Sequence, residues 1–324
     1  MPQAEVRTVG LPAPASRAVA APVEAGPARR RTRRRQWLQV GEIVIFLLPF
    51  AAFWILFRLG PVLYGVVISL YRWDPLGDAR FTGARNYLAL ARDPRFWNAL
   101  GNTLEFAALA IPLIVGAGLL LALFLFTYRG TLAARWMEAG FFFPYLLTVS
   151  VVGLVWRWLL DPDFGIVLLV LRGWGVGSPA FLNEPRWALP AIALATTWWL
   201  AGYRMVLFRA ALEDIPEELY EAARIDGASG ARIFVAIMLP LLKPAVLFAL
   251  VLTTISGFIV FGQVLIMTAG GPGRASEVLA LYLYRFGFEY LEMGQAAAVG
   301  VVLFVIILGL TLVAFRWLGF GTAL

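Results

Sequence analysis

Two acidic pairs are the residues of this sequence with the greatest potential for catalysis. Asp161 and Asp163 flank Pro162, and Glu213 directly precedes Asp214. Paired carboxylates can divide general-acid and general-base work, as a glycosyl or phosphoryl transferase requires. The first pair stands in a short proline-containing loop and the second stands just before a predicted helix start, which is typical of turn and capping residues. A membrane enzyme that uses these carboxylates remains an alternative interpretation.

Other catalytic chemistry is excluded by residue types. The chain contains no Cys and no His, so thiolate or imidazole metal sites, disulfides and Ser-His-Asp triads are impossible. Its single lysine, Lys243, follows Leu242 and cannot complete a phosphate-binding P-loop. Gly173, Gly175 and Gly177 follow no strand, so they are interpreted as loop glycines. We predict no catalytic residue, metal site or cofactor in this chain; ATP, if it is needed, binds elsewhere.

The composition indicates a membrane protein. Of 324 residues, 61% are hydrophobic and 15% are charged. A helix needs about 20 mostly apolar residues to cross the hydrocarbon core. The predicted fold is therefore an all-α integral membrane protein with six transmembrane helices, at residues 43–70, 106–126, 141–160, 187–207, 245–267 and 296–315.

Three arginines interrupt these spans. Arg157 and Arg204 are predicted to snorkel to the membrane interface, beside tryptophans that suit that depth. Arg58 lies midway along the first span, where an ion pair, snorkelling or a role in a solute path are the alternatives. The spans at 106–126, 245–267 and 296–315 contain no acid, which argues against a transporter driven by protons or sodium, the other alternative.

The N-terminal segment, residues 1–36, is rich in Ala, Pro and Arg. Eight of the 27 basic residues lie within the first 35 positions. This composition predicts a disordered cytoplasmic tail that orients the membrane domain, residues 37–324, rather than a nucleic-acid-binding arm. With six spans, both termini are then cytoplasmic. A short apolar segment at 164–171 is predicted to be an external interfacial helix.

The longest polar segment after the tail is residues 211–244, here named the 211–244 loop. Pro216 and the acidic turn after it favour a helix start. Gly227 interrupts that helix. Ser229 can cap a second helix, which Pro240 is expected to close. The loop is therefore predicted to form a helix, a glycine corner and a second helix on the cytoplasmic side.

Motifs of this loop resemble a known family. The sequence is similar to the EAA loop of permease subunits of binding-protein-dependent ABC importers at Glu221-Ala222-Ala223, Gly227 and Ile237-x-Leu239-Pro240. The flanking segments resemble the carbohydrate-uptake branch, which includes permeases for maltose, trehalose and glycerol 3-phosphate. Further matches to that branch are Asn86-Tyr87, Asp93-Pro94, Phe96-Trp97, Asn102-Thr103 and Gly270-Gly271-Pro272.

The resemblance implies a transport subunit of a bacterial inner membrane, with no enzyme activity of its own. It implies three kinds of partner: a second homologous permease, an ABC ATPase dimer that holds ATP and Mg, and an extracytoplasmic solute-binding protein. The residues expected to couple to the ATPase are Glu221, Ala222, Ala223, Asp226, Gly227, Ile237, Leu239 and Pro240.

A sugar-like solute is expected between the spans, because aromatic faces and a few hydrogen-bonding groups hold sugars. Gly257 and Gly262 in span five would permit close helix approach or bending. Helix packing or lipid contact is an equal alternative for each aromatic residue. The candidates for the solute path are Phe258, Phe261, Gln263, Trp198, Trp199, Tyr203 and Arg58.

Overall fold

The computed structural model describes residues 45–175, 177 and 179–318, so the predicted tail lies outside the described residues. The chain divides into two units, Met1–Gly60 and Pro61–Leu324. The first candidate membrane span, α1, is Ile45–Ile68, and it is π-helical over Ile55–Leu59. Its described bounds agree with the predicted first span.

A small hairpin is the exception to the all-helical prediction. Strands β1, Tyr71–Arg72, and β2, Arg80–Phe81, pair antiparallel, with Tyr71 opposite Phe81. The rings of these two residues pack edge to face, with centroids 5.3 Å apart. The short helix α2, Arg85–Arg92, follows.

Helix α3, Pro94–Thr127, is the longest helix and the centre of the bundle. It begins where the Asp93 carboxylate accepts a hydrogen bond from the Arg95 amide and where proline fits the first turn. With 34 residues it is about 50 Å long, at 1.5 Å per residue. It contributes buried residues to each of the three apolar clusters of the second unit.

The predicted third span, residues 141–160, is wrong as a single helix. Helix α4 with its terminal 3₁₀ turn, Leu132–Leu146, and helix α5, Val149–Leu159, meet at a bend of 100°. Pro144 lies in that 3₁₀ turn, and the Thr148 hydroxyl caps the new helix by accepting from the Val151 amide. Pro144 and the Thr148 cap therefore end one helix and start another within an apolar stretch for which hydropathy alone predicts a single helix.

Two helices agree more closely with the sequence. Helix α6, Ile166–Gly173, begins two residues later than the short helix expected at 164–171. Helix α7, Pro185–Glu213, contains the predicted fourth span and packs along α3 more extensively than any other helix pair.

The 211–244 loop contains helix α8, Glu217–Ile225, and helix α9, Gly230–Leu241, which is π-helical over Phe234–Met238. Pro240 lies inside α9, so the prediction that it closes the helix before this point is wrong. Helix α10, Lys243–Phe258, follows at a bend of 65°.

The predicted fifth span, residues 245–267, is also wrong as a single helix. It is interrupted after Phe258, and helix α11, Gly262–Met267, starts only after a non-helical Phe261 with φ −139° and ψ −59°. Helix α12, Leu279–Tyr284, and helix α13, Met293–Leu318, complete the described chain.

The number of membrane crossings depends on the bent pairs. Four helices of the described chain are long and apolar enough to cross a membrane, and there are six crossings if each bent pair counts as one span. The structure is thus predominantly helical with four to six candidate spans.

Candidate functional site

A cavity of about 290 Å³ opens at the break between α10 and α11. The break brings the second helix close to α5, because a Cβ atom at position 262 would lie only 2.7 Å from Val149 Cγ2. Only glycine permits that approach, so Gly262 has the packing role predicted for it. The cavity is bounded by α3, α5, α7 and the broken span.

Three of the predicted path residues, Trp199, Phe261 and Gln263, line this cavity together. The Trp199 indole donates a hydrogen bond to the Leu147 carbonyl oxygen at 3.1 Å, which fixes the ring. Gln263 is 6% exposed, and its amide makes no hydrogen bond to any described residue. Because Gln263 lines the cavity and its amide has no described protein partner, the amide is suited to receive a ligand or water there.

The other predicted path residues lie elsewhere. Phe258 packs in the apolar cluster between α3 and α13 and is 2% exposed. Trp198 is exposed and lies against Trp156, and Tyr203 stacks on Tyr145 with ring centroids 4.7 Å apart. Arg58 is an exposed residue of the first unit. The structure therefore gathers three of the seven candidates.

Arg204 is buried, contrary to the prediction that it snorkels. It is 3% exposed, and its Nε donates to Thr253 Oγ1 at 2.9 Å. Its guanidinium carbon lies 4.9 Å from the centroid of the Tyr203 ring. Close packing is the reason: a Cβ atom at Gly118 of α3 would lie 2.5 Å from Arg204 Cβ, so α3 covers the residue.

No carboxylate of the described chain pairs with Arg204. A cation inside a membrane span costs about 2.5–3.5 kcal/mol on insertion scales. The sequence shows the charge within an apolar stretch, but only the packing of α3 and α10 on α7 decides that it is enclosed.

The 211–244 loop presents a different surface. Glu221, Ala222, Asp226 and Gly227 are exposed, and Gly227 turns the chain with φ +74°. The rest of the predicted motif is exposed at Leu239 and Pro240 and half-buried at Ala223 and Ile237. The corner is thus open to solvent.

Tyr220 anchors this corner and was not singled out as a functional residue by the sequence. It is 3% exposed, and its ring centroid lies 5.8 Å from that of Phe126 at the end of α3. Burial raises the pKa of its hydroxyl, which has no hydrogen-bond partner among the described residues. The signal was available, because Tyr220 is the one aromatic residue of this short helix.

Ion pairs add to the anchor. Arg129, just beyond α3, pairs with Glu217 at 2.5 Å. Arg209 of α7 pairs with Glu138 and, at 2.9 Å, with Glu213. The loop is therefore attached to α3 and directly continuous with α7.

A buried polar network, here named the Glu277 cluster, lies at the other end of α3; it consists of Asp93, Arg95, Glu277, Tyr282 and Arg285. Glu277 is fully buried and accepts two hydrogen bonds from Arg95, at 2.6 and 2.9 Å. Arg285 binds the same carboxylate at 2.5 Å. Burial alone would raise the pKa of Glu277, but the hydrogen bonds and positive charges of the two arginines hold it below its usual range.

Comparison with known proteins decides the family. Residues 114–319, more than half of the chain, match the family described as binding-protein-dependent transport system inner membrane component. The chain belongs to this family. It is an inner-membrane transport component, as predicted.

Individual relatives agree with this assignment. The permease is 33% identical over 283 residues to the probable ABC transporter permease protein YurN of Bacillus subtilis, covering 86% of this chain and 96% of the relative. It is 35% identical over 271 residues to the sn-glycerol-3-phosphate transport system permease protein UgpA of Rhizobium meliloti, covering 81% and 89%.

A solved structure supports the fold. A bacterial ABC transporter involved in the import of the acidic polysaccharide alginate matches with a TM-score of 0.77 at 23% identity, covering 91% of this chain and 100% of that chain. The relatives are ABC permease subunits rather than enzymes, which confirms the predicted membership of the carbohydrate-uptake branch.

The acidic pairs of the permease have structural partners. Asp161 Oδ1 accepts hydrogen bonds from the amides of Asp163 and Phe164, as a turn residue does. Glu213 accepts from Arg209. These contacts, and the position of Asp214 as the C-cap of α7, agree with the interpretation of both pairs as turn and capping residues, and they give no support to a catalytic role.

Proposed function

We propose that this chain is one of two permeases that enclose the path of an ATP-driven sugar importer, and that its 211–244 loop transmits the movement of a separate ATPase. The observation that carries the proposal is the corner at Glu221, Ala222 and Gly227, which is exposed at its tip and anchored at its base by buried Tyr220. An exposed, small-residue corner on a fixed base suits a docking element.

Helix packing supports a route by which movement of the corner would reach the cavity. The base of the corner contacts α3 through Phe126 and Arg129, and α7 runs directly into the loop. The same two helices form walls of the cavity that contains Trp199 and Gln263. Because packed helices move as rigid bodies, a displacement of the corner would reach the cavity walls and support alternating access.

The cavity suits a sugar-like solute. It offers the faces of Trp199 and Phe261 together with the unpartnered amide of Gln263, which is the combination that holds hydroxyl-rich ligands. The names of relatives support the solute class, since they include permeases for arabinooligosaccharides, sulfoquinovosyl glycerol and sn-glycerol-3-phosphate. We propose Trp199, Phe261 and Gln263 as solute contacts.

The partners and orientation complete the proposal. A second permease would close the open side of the path, an ATPase dimer holding ATP and Mg would seat the 211–244 loop, and a solute-binding protein would dock on the opposite face. The basic tail supports a cytoplasmic N-terminus and C-terminus. The Glu277 cluster would then face outward.

Affinity purification of the tagged chain from membranes tests the coupling. The variant is Gly227→Asp, and the matched control is Gly175→Asp, an exposed glycine outside the loop that has a similar φ of +69°. Both substitutions add the same charge and similar backbone strain. The native chain and the control should recover an ATPase and a second permease, whereas Gly227→Asp should lose the ATPase and keep the permease.

A chain that purifies alone, or a Gly227→Asp variant that recovers the ATPase in full, would contradict the proposal. Uptake into vesicles that follows an ion gradient without ATP would then favour the secondary-transporter alternative.

A further inference from the structure

The layer of side chains next to the cavity contains a fixed positive charge. The cavity wall includes Leu200 on α7, Gly257 on α10 and Ile114 on α3. Residues four apart lie on the same face of a helix, one turn or about 5.4 Å along the axis. The neighbouring residues of that turn are Arg204 and Thr253, which are hydrogen-bonded to each other, and Gly118, which contacts Arg204.

Arg204 does not itself line the cavity, but helix geometry is expected to direct its side chain toward the cavity wall. Side chains on an α-helix lean toward its N-terminus, and the N-terminal direction from Arg204 on α7 leads to Leu200 and the cavity wall. The Nε atom is occupied by Thr253 Oγ1. The two terminal nitrogens of the guanidinium form no hydrogen bond with any described residue.

The surroundings leave this charge uncompensated. Among the residues that the structure describes, no Asp or Glu forms an ion pair with Arg204, and the polar side chains beside its guanidinium include those of Tyr203 and Tyr145. The cavity lining itself contains no charged side chain. Since the interior has a low dielectric constant, the field of one unpaired guanidinium extends into the adjacent cavity with little screening.

We propose that Arg204 makes the cavity selective for sugars that carry a carboxylate or phosphate group over neutral sugars of the same size. A guanidinium with two free terminal nitrogens matches the two oxygens of either anion. The anionic group would lie toward Arg204, while the sugar ring lies between Trp199 and Phe261 and bonds to Gln263. The proposal rests on the proposed function, in that it takes this cavity to be part of the solute path.

The absence of cysteine from the chain gives a direct assay. Ser256→Cys introduces one thiol into the cavity wall, and Asp78→Cys introduces one in the exposed hairpin as a control. In the complex assembled with its partner subunits, the rate of modification of this chain by the neutral reagent N-ethylmaleimide is measured with glucose, glucuronate or glucose 6-phosphate. The rate with each sugar is divided by the rate without it, so that changes in thiol reactivity cancel.

With Arg204 present, glucuronate and glucose 6-phosphate should protect the cavity thiol at a concentration about tenfold lower than glucose does. Arg204→Gln should abolish this difference by weakening protection by the two anions alone. Arg204→Lys keeps the charge but loses the pair of donors, so it should retain only part of the preference. Thr253→Val removes the hydrogen bond but keeps the charge, and should also retain the preference. The Asp78→Cys thiol should be modified equally with every sugar.

Two outcomes overturn the proposal and separate it from the proposed function. Equal protection by glucose and glucuronate, or a preference that survives in Arg204→Gln, would remove the role of Arg204 and leave the cavity as a sugar site. Protection by none of the three sugars would remove the cavity from the solute path, which contradicts both proposals.

Discussion

The Glu277 cluster and the 211–244 loop lie near opposite ends of α3 and differ in the burial of their acidic side chains. In the cluster, a fully buried carboxylate is bound by Arg95 and Arg285, and the Arg95 guanidinium lies over the Tyr282 ring at 5.5 Å. In the loop, Glu221 and Asp226 are left exposed, and Tyr220 is the one buried residue of α8.

The difference indicates two kinds of task. The buried acid ties distant parts of the chain together, because Arg95 and Glu277 are 182 residues apart. An exposed corner with an apolar anchor keeps its shape but leaves its polar tip available. The comparison predicts that damage to the cluster lowers stability, whereas damage to the loop lowers partner binding.

The largest effect is expected from Glu277→Gln. The substitution removes the charge of the buried carboxylate from the half-buried Arg95 and Arg285, and breaking a buried ion pair costs about 3–5 kcal/mol. The measurement is thermal unfolding of the purified chain in detergent. Glu289→Gln is the matched control, because its carboxylate meets Arg285 at 3.8 Å in a half-exposed pair and should contribute below about 1 kcal/mol. Equal losses from the two variants would contradict the view of the cluster as a structural tie.

A second effect, confined to the loop, is expected from Tyr220→Ala. Removal of a buried aromatic side chain costs about 3–5 kcal/mol where the site cannot collapse, and here the loss should loosen the corner. ATPase recovery in the affinity purification should fall, while the second permease is retained. Tyr220→Phe removes a hydroxyl that has no described partner, so it should preserve ATPase recovery. If Tyr220→Ala left ATPase recovery unchanged, the anchor would not matter to coupling.

The smallest effect concerns pH. Because the pKa of Glu277 is held below that of an exposed glutamate, the cluster contributes its full stability above the unfolded pKa of about 4.3 and loses it as the pH falls through the lower folded value. Unfolding temperature measured from pH 6 downward should therefore decline more steeply for the native chain than for Glu277→Gln. Parallel curves would show that the carboxylate is not ionised in the cluster.

The two regions also differ in how far the sequence predicts them. The helix start after Pro216, the turn at Gly227 and the cap at Ser229 depend on residues within a few positions, and all three are observed. Of the two partners of Glu277, Arg285 is eight residues away but Arg95 is 182 residues away, so no local pattern identifies the Arg95 pair. Local signals predict local geometry, while contacts between distant segments require the packed bundle.

The same reasoning explains the errors within the membrane spans. Residues 245–267 contain no proline, so hydropathy predicts one helix, although the chain breaks at Phe261 where Gly262 approaches Val149. In the sequence, Arg204 is a charge in an apolar stretch whether it snorkels or is buried. Its burial depends on Gly118 of another helix. The sequence could indicate Trp199, Phe261 and Gln263 as candidates because these residue types suit a sugar. That they lie at one cavity could not be predicted, because it depends on the helix break at Phe261.

The length of α3 has a mechanical consequence. At about 50 Å the helix exceeds the hydrocarbon thickness of about 30 Å, so its two ends act as the arms of a lever that extends beyond the bilayer. One arm carries Arg95 and the other ends beside Tyr220. A tilt of about 5° around one end displaces the other by about 4 Å, given the rise per residue of a helix. Under the proposed function, a small rotation on one side of the membrane would produce a side-chain-sized displacement on the other.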